Sequence, residues 1–475
     1  MKNSRIIIGA LLSTASLTAT AQSPYIHDRV YTSNQVSNTV SVVDPSSQKL
    51  LGEIVLGKPY PNVLSPIYRG ESLVHGLRYL PQRKMLAAVS IGSNAVTLIS
   101  TETNKVIKTI YVGRSPHEPT FSPDGKQLWI SVRGEAYVSV IDMQKMTEVK
   151  RVPVADGPGM VSFSPDGKTA YVCSSFTAEL DVINTADYTI RKKIKVVSPF
   201  SPNIFTSPQG DYVAMTHKDV GKVTIIKTAD LSIAKVIPTG AITNHVTFTN
   251  LNKKLLMLVT VGGENKVRVF DVQNDFKQTD SISVGALPHG IWPSNDGKYA
   301  YVGLEYGDQV QAIDLETMTA KTPIKIGQSP QALVYAANAV SNANAALNLS
   351  PLGDVASTNI VVLKDPAGDT SGIGRLAFRP IGLTDLIEQI FIGLTPNREY
   401  DLVFTRSKNA PYKSDDTINT FHTDAQGKFS GQSTGIVKSN SNLVAGSDYE
   451  HIVLIDKVTN RPVLLNLPGA EEKVK

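Results

Sequence analysis

The chain has a single cysteine, Cys173, and only two tryptophans among its 475 residues. One cysteine excludes an intramolecular disulfide framework. Because Cys173 lies in an apolar run, we expect a buried small residue rather than a nucleophile. The CxxC and HExxH motifs and a glycine-rich phosphate loop are also absent. The sequence therefore gives no support to a zincin or a nucleotide-binding function.

Long apolar runs and a strong excess of one charge are missing as well. The formal net charge is +5, without a basic stripe interleaved with aromatic residues, so we expect no nucleic-acid partner. Lys2 and Arg5 precede an apolar run that is too short to span a membrane, and Ala19-Thr20-Ala21 is a good signal-peptidase site. The sequence predicts a signal peptide over residues 1–21, a periplasmic or secreted mature protein, and no membrane anchor.

One sequence motif recurs seven times, most clearly as SPHEPTFSPDGKQLWISV, GPGMVSFSPDGKTAYVCS and LPHGIWPSNDGKYAYVGL. The residue just before the first strand of each unit serves as a reference position, and successive reference positions are 42 to 45 residues apart. A period in this range, with about four strands in each unit, indicates a β-propeller rather than a helical array. The seven reference positions are His75, His117, Gly159, Pro202, Asn244, His289 and Gln331.

The turn residues of each unit predict where its strands begin and end. Asp-Gly turns such as Asp124-Gly125 separate the first and second strands, the third strand is apolar, and the fourth is polar, as a water-facing edge should be. The first unit lacks a first strand, whereas the last unit stops after one. We therefore expect Val30–Leu56 and Gln331–Tyr335 to share one blade and to close the ring.

These units resemble the YVTN-type repeats of the YncE-like seven-bladed β-propellers, which are related in fold to the β-chains of quinoprotein amine dehydrogenases. The repeats carry the resemblance, including Tyr171-Val172-Cys173-Ser174 and Tyr301-Val302-Gly303-Leu304 at the place of the YVTN phrase. It covers residues 28–337. The resemblance implies the fold but no single activity, because the group includes binding proteins, subunits and enzymes.

The period is lost after the ring. Residues 338–350 are rich in Ala, Asn and Ser and are predicted to form a linker. Short apolar runs separated by turn-rich stretches predict a small β-sandwich-like domain over residues 351–475. Within it, Leu394–Tyr400 resembles the tyrosine corner of fibronectin type III and related sandwiches, in which the Tyr hydroxyl returns to the nearby backbone. The predicted fold is thus all-β, a seven-bladed β-propeller followed by a β-sandwich-like domain.

The reference positions bring three histidines together. The first strand of each blade lines the central channel of a propeller, so these positions surround the channel mouth. In a closed ring, His289, Gln331, His75 and His117 belong to four consecutive blades. Because imidazole nitrogen suits Cu and Zn, His75, His117 and His289 are candidate metal ligands.

The same face is predicted to carry the other candidate functional residues, because the loops between second and third strands open there. The longest insertion of the ring, residues 60–73, also enters just before His75. The candidate general bases are Glu118 and Glu305. The candidate ligand-binding residues are Arg69, Glu71, Arg133, Glu135, Tyr306 and Gln331.

Three interpretations of the histidines stay open: strand caps that bond to a neighbouring blade, a metal or catalytic cluster, and metal-free ligand contacts. Two functions follow. The favoured one is an exported binding protein that presents the channel mouth to a small ligand, a glycan or a protein partner. The alternative is a metal-dependent enzyme, a hydrolase, a lyase or a copper oxidoreductase. Binding is favoured because the resemblance supplies no catalytic motif.

Overall fold

The computed structural model describes residues 23–57, 72–343, 346–353, 358–381, 384–435 and 449–466. The predicted signal peptide lies outside these residues, as do Arg69 and Glu71 of the predicted ligand-binding set. The described part is almost entirely β-structure, with short 3₁₀ turns at Pro81–Arg83 and Gly262–Glu264. No described helix is long and apolar enough to span a membrane.

The propeller contains seven antiparallel sheets of four or five strands, which confirms the predicted seven blades. Blade 1 has β1 (Arg29–Asn34), β2 (Thr39–Asp44) and β3 (Lys49–Val55). Blade 2 has β4 (Val74–Leu80), β5 (Met85–Ser90), β6 (Ala95–Ser100) and β7 (Val106–Tyr111). Blade 3 has β8 (Pro116–Phe121), β9 (Gln127–Val132), β10 (Tyr137–Asp142) and β11 (Thr147–Pro153). Blade 4 has β12 (Pro158–Phe163), β13 (Thr169–Ser174), β14 (Glu179–Asn184) and β15 (Thr189–Lys195).

The remaining blades repeat this order. Blade 5 has β16 (Ile204–Thr206), β17 (Tyr212–His217), β18 (Lys222–Lys227) and β19 (Ser232–Pro238). Blade 6 has β20 (Thr243–Leu251), β21 (Lys254–Val261), β22 (Lys266–Asp271) and β23 (Lys277–Ser283). Blade 7 has β24 (Pro288–Pro293), β25 (Tyr299–Leu304), β26 (Gln309–Asp314) and an interrupted outer strand, β27 (Thr319–Ala320) and β28 (Ile324–Lys325). The inner strand of blade 1 is β29 (Pro330–Ala336).

The ring closes in blade 1, where β29 from the far end of the repeats pairs antiparallel with β1. Thr32 faces Leu333 in this pairing, and the Ser33 hydroxyl accepts a hydrogen bond from the Ala332 N–H at 2.9 Å. The Tyr335 hydroxyl also donates to the Asp28 carboxylate. An inner strand thus comes from one end of the repeat array and three outer strands from the other, as the sequence predicts, so strand pairing joins the two ends of the array.

The recurring Ser-Pro-Asp-Gly motif forms the turns between first and second strands. The Ser122 hydroxyl donates to Asp124 Oδ1 at 2.7 Å, and the Gly125 N–H donates to the Ser122 carbonyl at 2.8 Å. Gly125 has a φ of +68°, a conformation that glycine adopts without steric cost. These residues are therefore turn-forming, and they lie at the opposite end of the inner strands from the channel mouth.

The inner strands form a closed circle because each contacts the inner strand of the next blade. Close approach is possible where a glycine follows the reference position. A Cβ added at Gly76 would lie 2.4 Å from the His117 carbonyl oxygen, and one at Gly290 would lie 2.7 Å from the Gln331 carbonyl oxygen. In the His-Gly dipeptides of blades 2 and 7, the histidine thus places a polar side chain at the mouth, and the glycine allows close packing against the backbone of the next blade.

The segment that leaves the ring is attached to it by hydrogen bonds. The Arg29 guanidinium donates to the Ala343 carbonyl at 2.7 Å, and the Asn104 amide donates to the Leu347 carbonyl at 2.9 Å. Ser350 then forms an isolated antiparallel bridge with Glu53 on β3. The described residues of the predicted linker therefore follow the surface of blades 1 and 2.

The C-terminal region is a second β-structure. Its strands are β30 (Asn359–Lys364), β31 (Ile373–Ile381), β32 (Thr384–Ile392), β33 (Glu399–Thr405), β34 (Asp416–His422), β35 (Phe429–Gly435), β36 (His451–Asp456) and β37 (Arg461–Leu465). All eight share one hydrogen-bonded sheet, whose edge strands β34 and β35 also contact each other, so the sheet is barrel-like. We call it the barrel. Its Tyr400 hydroxyl accepts the Thr395 N–H at 3.1 Å, the bond expected of a tyrosine corner.

The barrel packs on the channel-mouth face of the propeller. Arg375 donates to the Gly263 carbonyl at 2.9 Å, in the turn between β21 and β22. Ala377 and Ile390 of the barrel join an apolar cluster with Leu287 and Tyr306 of the propeller. The barrel therefore covers part of the face on which the sequence placed the candidate site.

Candidate functional site

The histidine cluster lies where β4, β8 and β24 begin. His75, His117 and His289 are all buried. The ring centres of His75 and His117 are 4.4 Å apart, and those of His75 and His289 are 6.4 Å apart. A fourth ring, His245 on β20, lies 4.9 Å from His289. The three histidines singled out in the sequence are thus neighbours at the mouth, whereas their binding of a metal remains a prediction.

Two of these histidines bond to the backbone of the next blade. His117 Nδ1 lies 2.7 Å from the Gly159 carbonyl oxygen, and His289 Nδ1 lies 2.7 Å from the Gln331 carbonyl oxygen. A carbonyl oxygen can only accept, so Nδ1 carries the hydrogen in both rings and Nε2 keeps its lone pair. This is the strand-capping arrangement, and it leaves Nε2 of each ring free to bind a ligand.

Three histidines at the mouth are held in their neutral form. Burial lowers the pKa of His117, His245 and His289 well below the ordinary value for histidine. Nearby positive charge lowers the pKa further, from Arg133 at His117 and from Lys218 at His289. Neutral imidazole is the form that coordinates metals and accepts hydrogen bonds.

Glu118 places a carboxylate in this cluster. It is buried on β8, one residue after His117, where blades 2 and 7 have glycine. Glu118 Oε1 lies 3.7 Å from His75 Nδ1, and neither atom has a hydrogen-bond partner among the described residues. Within those residues, His75, His117 and Glu118 are the one group of His, Cys, Asp or Glu that offers three ligand atoms within 4.8 Å of one another.

Arg78 closes the channel beyond the cluster. Its guanidinium carbon lies 4.7 Å from the Trp292 ring centre and 5.3 Å from the Phe205 ring centre, so it reaches from blade 2 to blades 7 and 5. Burial lowers the pKa of Arg78 to about 10, an effect that the charge of Glu118 opposes. The cavity around these groups has a volume of only about 10 Å³, so side chains fill most of the channel at this depth. Arg78 was not a candidate from the sequence, although a lone arginine within the apolar strand VHGLRYL was a signal.

A larger cavity of about 350 Å³ lies between the channel mouth and the barrel; we call it the mouth cavity. The propeller contributes Lys218, Glu305 and Gln331 to its lining, and the barrel contributes Glu388. Burial lowers the pKa of Lys218, against the opposing charge of Glu305. Glu305 Oε2 is buried without a hydrogen-bond partner in the described part of the chain. Lys218 and Glu388 were not candidates from the sequence, because no repeat position reveals what a second domain will cover.

The other sequence candidates are distributed around the same face. Tyr306 lines the mouth cavity and is buried against the barrel. Arg133 stacks between the Phe176 and Phe200 rings, with distances of 5.7 and 5.4 Å to their centres. Glu135 Oε1 accepts the Arg114 N–H at 3.1 Å. Neither Arg133 nor Glu135 lines the mouth cavity.

Two features with possible nucleophiles are structural. The sequence GQSTG at residues 431–435 fits the GxSxG pattern, but it lies within β35 rather than on a strand-to-helix turn, and Ser433 Oγ accepts the Gln389 amide at 2.7 Å. Cys173 is fully buried, and burial raises its pKa to about 12. The thiol therefore stays protonated in the core of blade 4.

Comparison with known proteins agrees with the fold. Residues 80–210 match the family model described as YNCE-like beta-propeller, which confirms the resemblance predicted from the repeats and includes His117 and Glu118. No curated protein sequence matches the chain.

Solved structures are similar at low sequence identity. A chain of Kuenenia stuttgartiensis hydrazine synthase matches with a TM-score of 0.50 and 21% identity, over 55% of this chain and 89% of that one. A functionally unknown protein from Desulfotomaculum acetoxidans matches with a TM-score of 0.55 and 11% identity, over 65% and 99% of the two chains. At these identities the similarity shows the fold alone.

Proposed function

We propose that this protein is an exported β-propeller binding protein that holds a small polar ligand in the mouth cavity. The observation that carries this proposal is that one cavity is lined by both a lysine ammonium and a carboxylate oxygen without a partner. Lys218 is partly buried in its lining, and Glu305 Oε2 is buried without a hydrogen-bond partner among the described residues. A buried carboxylate oxygen without a partner costs free energy, and a ligand that pairs with both groups would remove this cost.

The size and chemistry of the cavity favour a small zwitterionic ligand. A volume of about 350 Å³ falls within the usual range of small-molecule sites. Lys218 offers a donor for an anionic group, and Glu305 offers an acceptor for a cationic or N–H group. Because the barrel covers this part of the face, a folded protein partner cannot reach the same residues without displacing it. A small ligand therefore fits the covered cavity better than a protein partner.

The signal-peptide pattern supports the exported location, which is tested by sequencing the N-terminus of protein recovered from periplasmic and culture fractions. A mature protein that begins at Gln22 supports export. Full-length protein retained in the cytoplasm contradicts it.

Ligand binding is tested by screening amino acids, dipeptides, carboxylates and sugars for an increase in thermal stability, followed by calorimetric titration. A ligand present at 100 times its Kd should stabilise the protein by about 2.7 kcal/mol. Lys218→Met should weaken binding at least tenfold. Lys126→Met is the matched control, because Lys126 is an exposed lysine in a turn remote from the mouth. Equal effects of the two substitutions, or no stabilising ligand of any class, would contradict the proposal.

The alternative function, a metal-dependent hydrolase, lyase or copper oxidoreductase, is favoured by a different observation, the cluster of His75, His117 and Glu118. It predicts that a metal-loaded protein turns over a substrate, whereas the binding function predicts release of an unchanged ligand. Recovery and mass analysis of the ligand after incubation distinguishes the two.

A further inference from the structure

We infer that the channel mouth contains a site for one borderline divalent cation, Zn²⁺ or Cu²⁺, whose protein ligands are His75, His117 and Glu118. This set differs from the three-histidine set suggested by the repeat register, because it replaces His289 with a carboxylate. The inference goes beyond the proposed function, since it concerns the buried cluster beside the mouth cavity and not the groups that line that cavity.

The three side chains are close enough to share one cation. Ligand atoms from the three residues lie within 4.8 Å of one another, and His75 Nδ1 and Glu118 Oε1 are 3.7 Å apart. In a tetrahedral site with bonds of about 2.0–2.1 Å, neighbouring ligand atoms are about 3.3–3.4 Å apart. Rotamer shifts of less than about 1 Å would therefore bring the atoms to coordination distance. Two imidazoles and one carboxylate are also a donor set that zinc uses where a coordination position stays open.

Two of the proposed ligand atoms lack hydrogen-bond partners in the structure. His75 Nδ1 and Glu118 Oε1 are buried polar atoms without hydrogen-bond partners among the described residues. His75 is only 6% exposed and Glu118 only 3% exposed, so water does not readily satisfy them. Such atoms cost free energy when they have no partner, and a bound cation would satisfy both of them at once.

A hydrogen bond to the backbone fixes the orientation of the His117 ring. Its Nδ1 donates to the Gly159 carbonyl at 2.7 Å, which directs the lone pair to Nε2 and fixes the ring. A backbone carbonyl on the second nitrogen is the usual support of a metal-binding histidine. His289 has the same support from Gln331 but its ring centre is 6.4 Å from that of His75, against 4.4 Å for His117. We therefore place His289 next to the site and outside its ligand set.

Positive charge near the site limits its affinity. Arg78 lies in the channel beyond the cluster, and its positive charge offsets part of the negative charge of the Glu118 carboxylate. This lowers the affinity of the site for a cation. The Arg78 guanidinium nonetheless donates to the Pro119 carbonyl at 3.2 Å and to Thr120 Oγ1 at 3.5 Å, so no hydrogen bond to Glu118 replaces a metal bond. In the absence of a metal, the competing arrangement is the direct contact between His75 Nδ1 and Glu118 Oε1 at 3.7 Å.

The test uses the mature protein with any affinity tag removed, treated with chelator and then titrated with Zn²⁺ and with Cu²⁺. We expect one equivalent to bind, with visible absorption of Co²⁺ as a spectroscopic substitute for zinc. His75→Ala, His117→Ala and the isosteric Glu118→Gln should each lower affinity at least tenfold. His289→Ala and the exposed His422→Ala should retain it. Circular dichroism and thermal unfolding check that each variant is folded, and the wild-type titration does not depend on any variant.

The outcomes separate the possibilities. Failure of the wild-type protein to bind one equivalent of either metal overturns the inference and leaves the His75–Glu118 contact as the resting arrangement. Loss of binding in His289→Ala equal to that in His75→Ala overturns the ligand set. Lys218→Met should retain the metal affinity, because Lys218 lines the mouth cavity and is not a ligand of the proposed metal site, so this result stays separate from the ligand-binding test.

Discussion

Arg379 of the barrel forms a fully buried ion pair with Asp308 of blade 7. The same guanidinium contacts Glu388 Oε2 at 2.5 Å and donates to the Glu305 carbonyl at 2.6 Å. One side chain thus joins the barrel to the loop between β25 and β26. It also fixes the positions of two glutamates that line the mouth cavity.

Removal of this guanidinium should detach the barrel from the ring. Arg379→Ala leaves Asp308 and Glu388 buried without their cation, and breaking a buried pair in this way costs about 3–5 kcal/mol. We expect a lower first transition in thermal unfolding and faster proteolysis between the two units. Arg398→Ala is the control, because Arg398 pairs with Asp456 at 2.9 Å within the barrel. If both variants separate the units equally, the Arg379 contact is not what joins them.

The path of the connecting segment gives a second prediction. Gly52 has a φ of +146°, and a Cβ there would lie 2.6 Å from the Ser350 carbonyl oxygen. Gly52→Ala should therefore disrupt the bridge between Glu53 and Ser350 and cost about 1 kcal/mol or more. We expect proteolysis within residues 338–350 to accelerate and to release the ring as a stable fragment.

Gly125→Ala is the matched control for this effect. Its φ of +68° also strains alanine, but it lies in a turn of blade 3, where an added Cβ would meet Leu80 and Gln82 rather than the connecting segment. Similar cleavage rates in the two variants would show that general destabilisation, and not release of the segment, exposes the cleavage site.

The sequence predicted the ring well because its determinants are local and repeated. Asp-Gly turns and alternating strands specify each blade, and the unmatched ends specify closure through β1 and β29. The same register placed His75, His117 and His289 together. It could not show that Glu118 turns toward His75, because side-chain direction at a bulged strand is not fixed by spacing. Arg78, Lys218 and Glu388 were missed, since their roles depend on contacts across the channel or between domains.

The floor of the channel gives a third prediction. A desolvated cation–π contact is worth about 2 kcal/mol, whereas an exposed one is worth about 0.5–1. Arg78→Met keeps most of the packing but removes the charge over Trp292, and it should lower the free energy of unfolding by about 2 kcal/mol. Arg151→Met is the exposed counterpart, with its guanidinium 4.8 Å from the Tyr137 ring centre, and should cost less than about 1 kcal/mol.

Fluorescence tests the same contact directly. In a Trp129→Phe background, Trp292 is the one remaining tryptophan. Arg78→Met should change its emission, whereas Arg151→Met should not. An unchanged spectrum and an unchanged urea midpoint in Arg78→Met would show that Arg78 does not stack on Trp292 in solution.

Acid should destabilise the protein through the neutral histidines of the mouth. Burial lowers the pKa of His117, His245 and His289 in the folded protein, so below about pH 6.5 the unfolded chain binds more protons than the folded one. Stability is therefore greatest above pH 6.5 and falls as the pH decreases, by about 1.4 kcal/mol per pH unit for each histidine. Glu388 acts in the opposite direction, because burial raises the pKa of its carboxyl in the folded protein: its contribution to stability increases as the pH falls from that raised pKa to the pKa of the unfolded carboxyl.

A comparison of His289→Gln with the wild type measures the contribution of one histidine to this pH dependence of stability. Urea unfolding of the metal-free protein between pH 7.5 and 5.5 should show a slope that is shallower in the variant by about one proton, because glutamine does not titrate. His422→Gln is the control, since His422 is exposed on the barrel and should leave the slope unchanged. Identical slopes in wild type and His289→Gln would mean that His289 is protonated equally in the folded and unfolded chains, which contradicts its burial as a neutral ring beside His75 and His245.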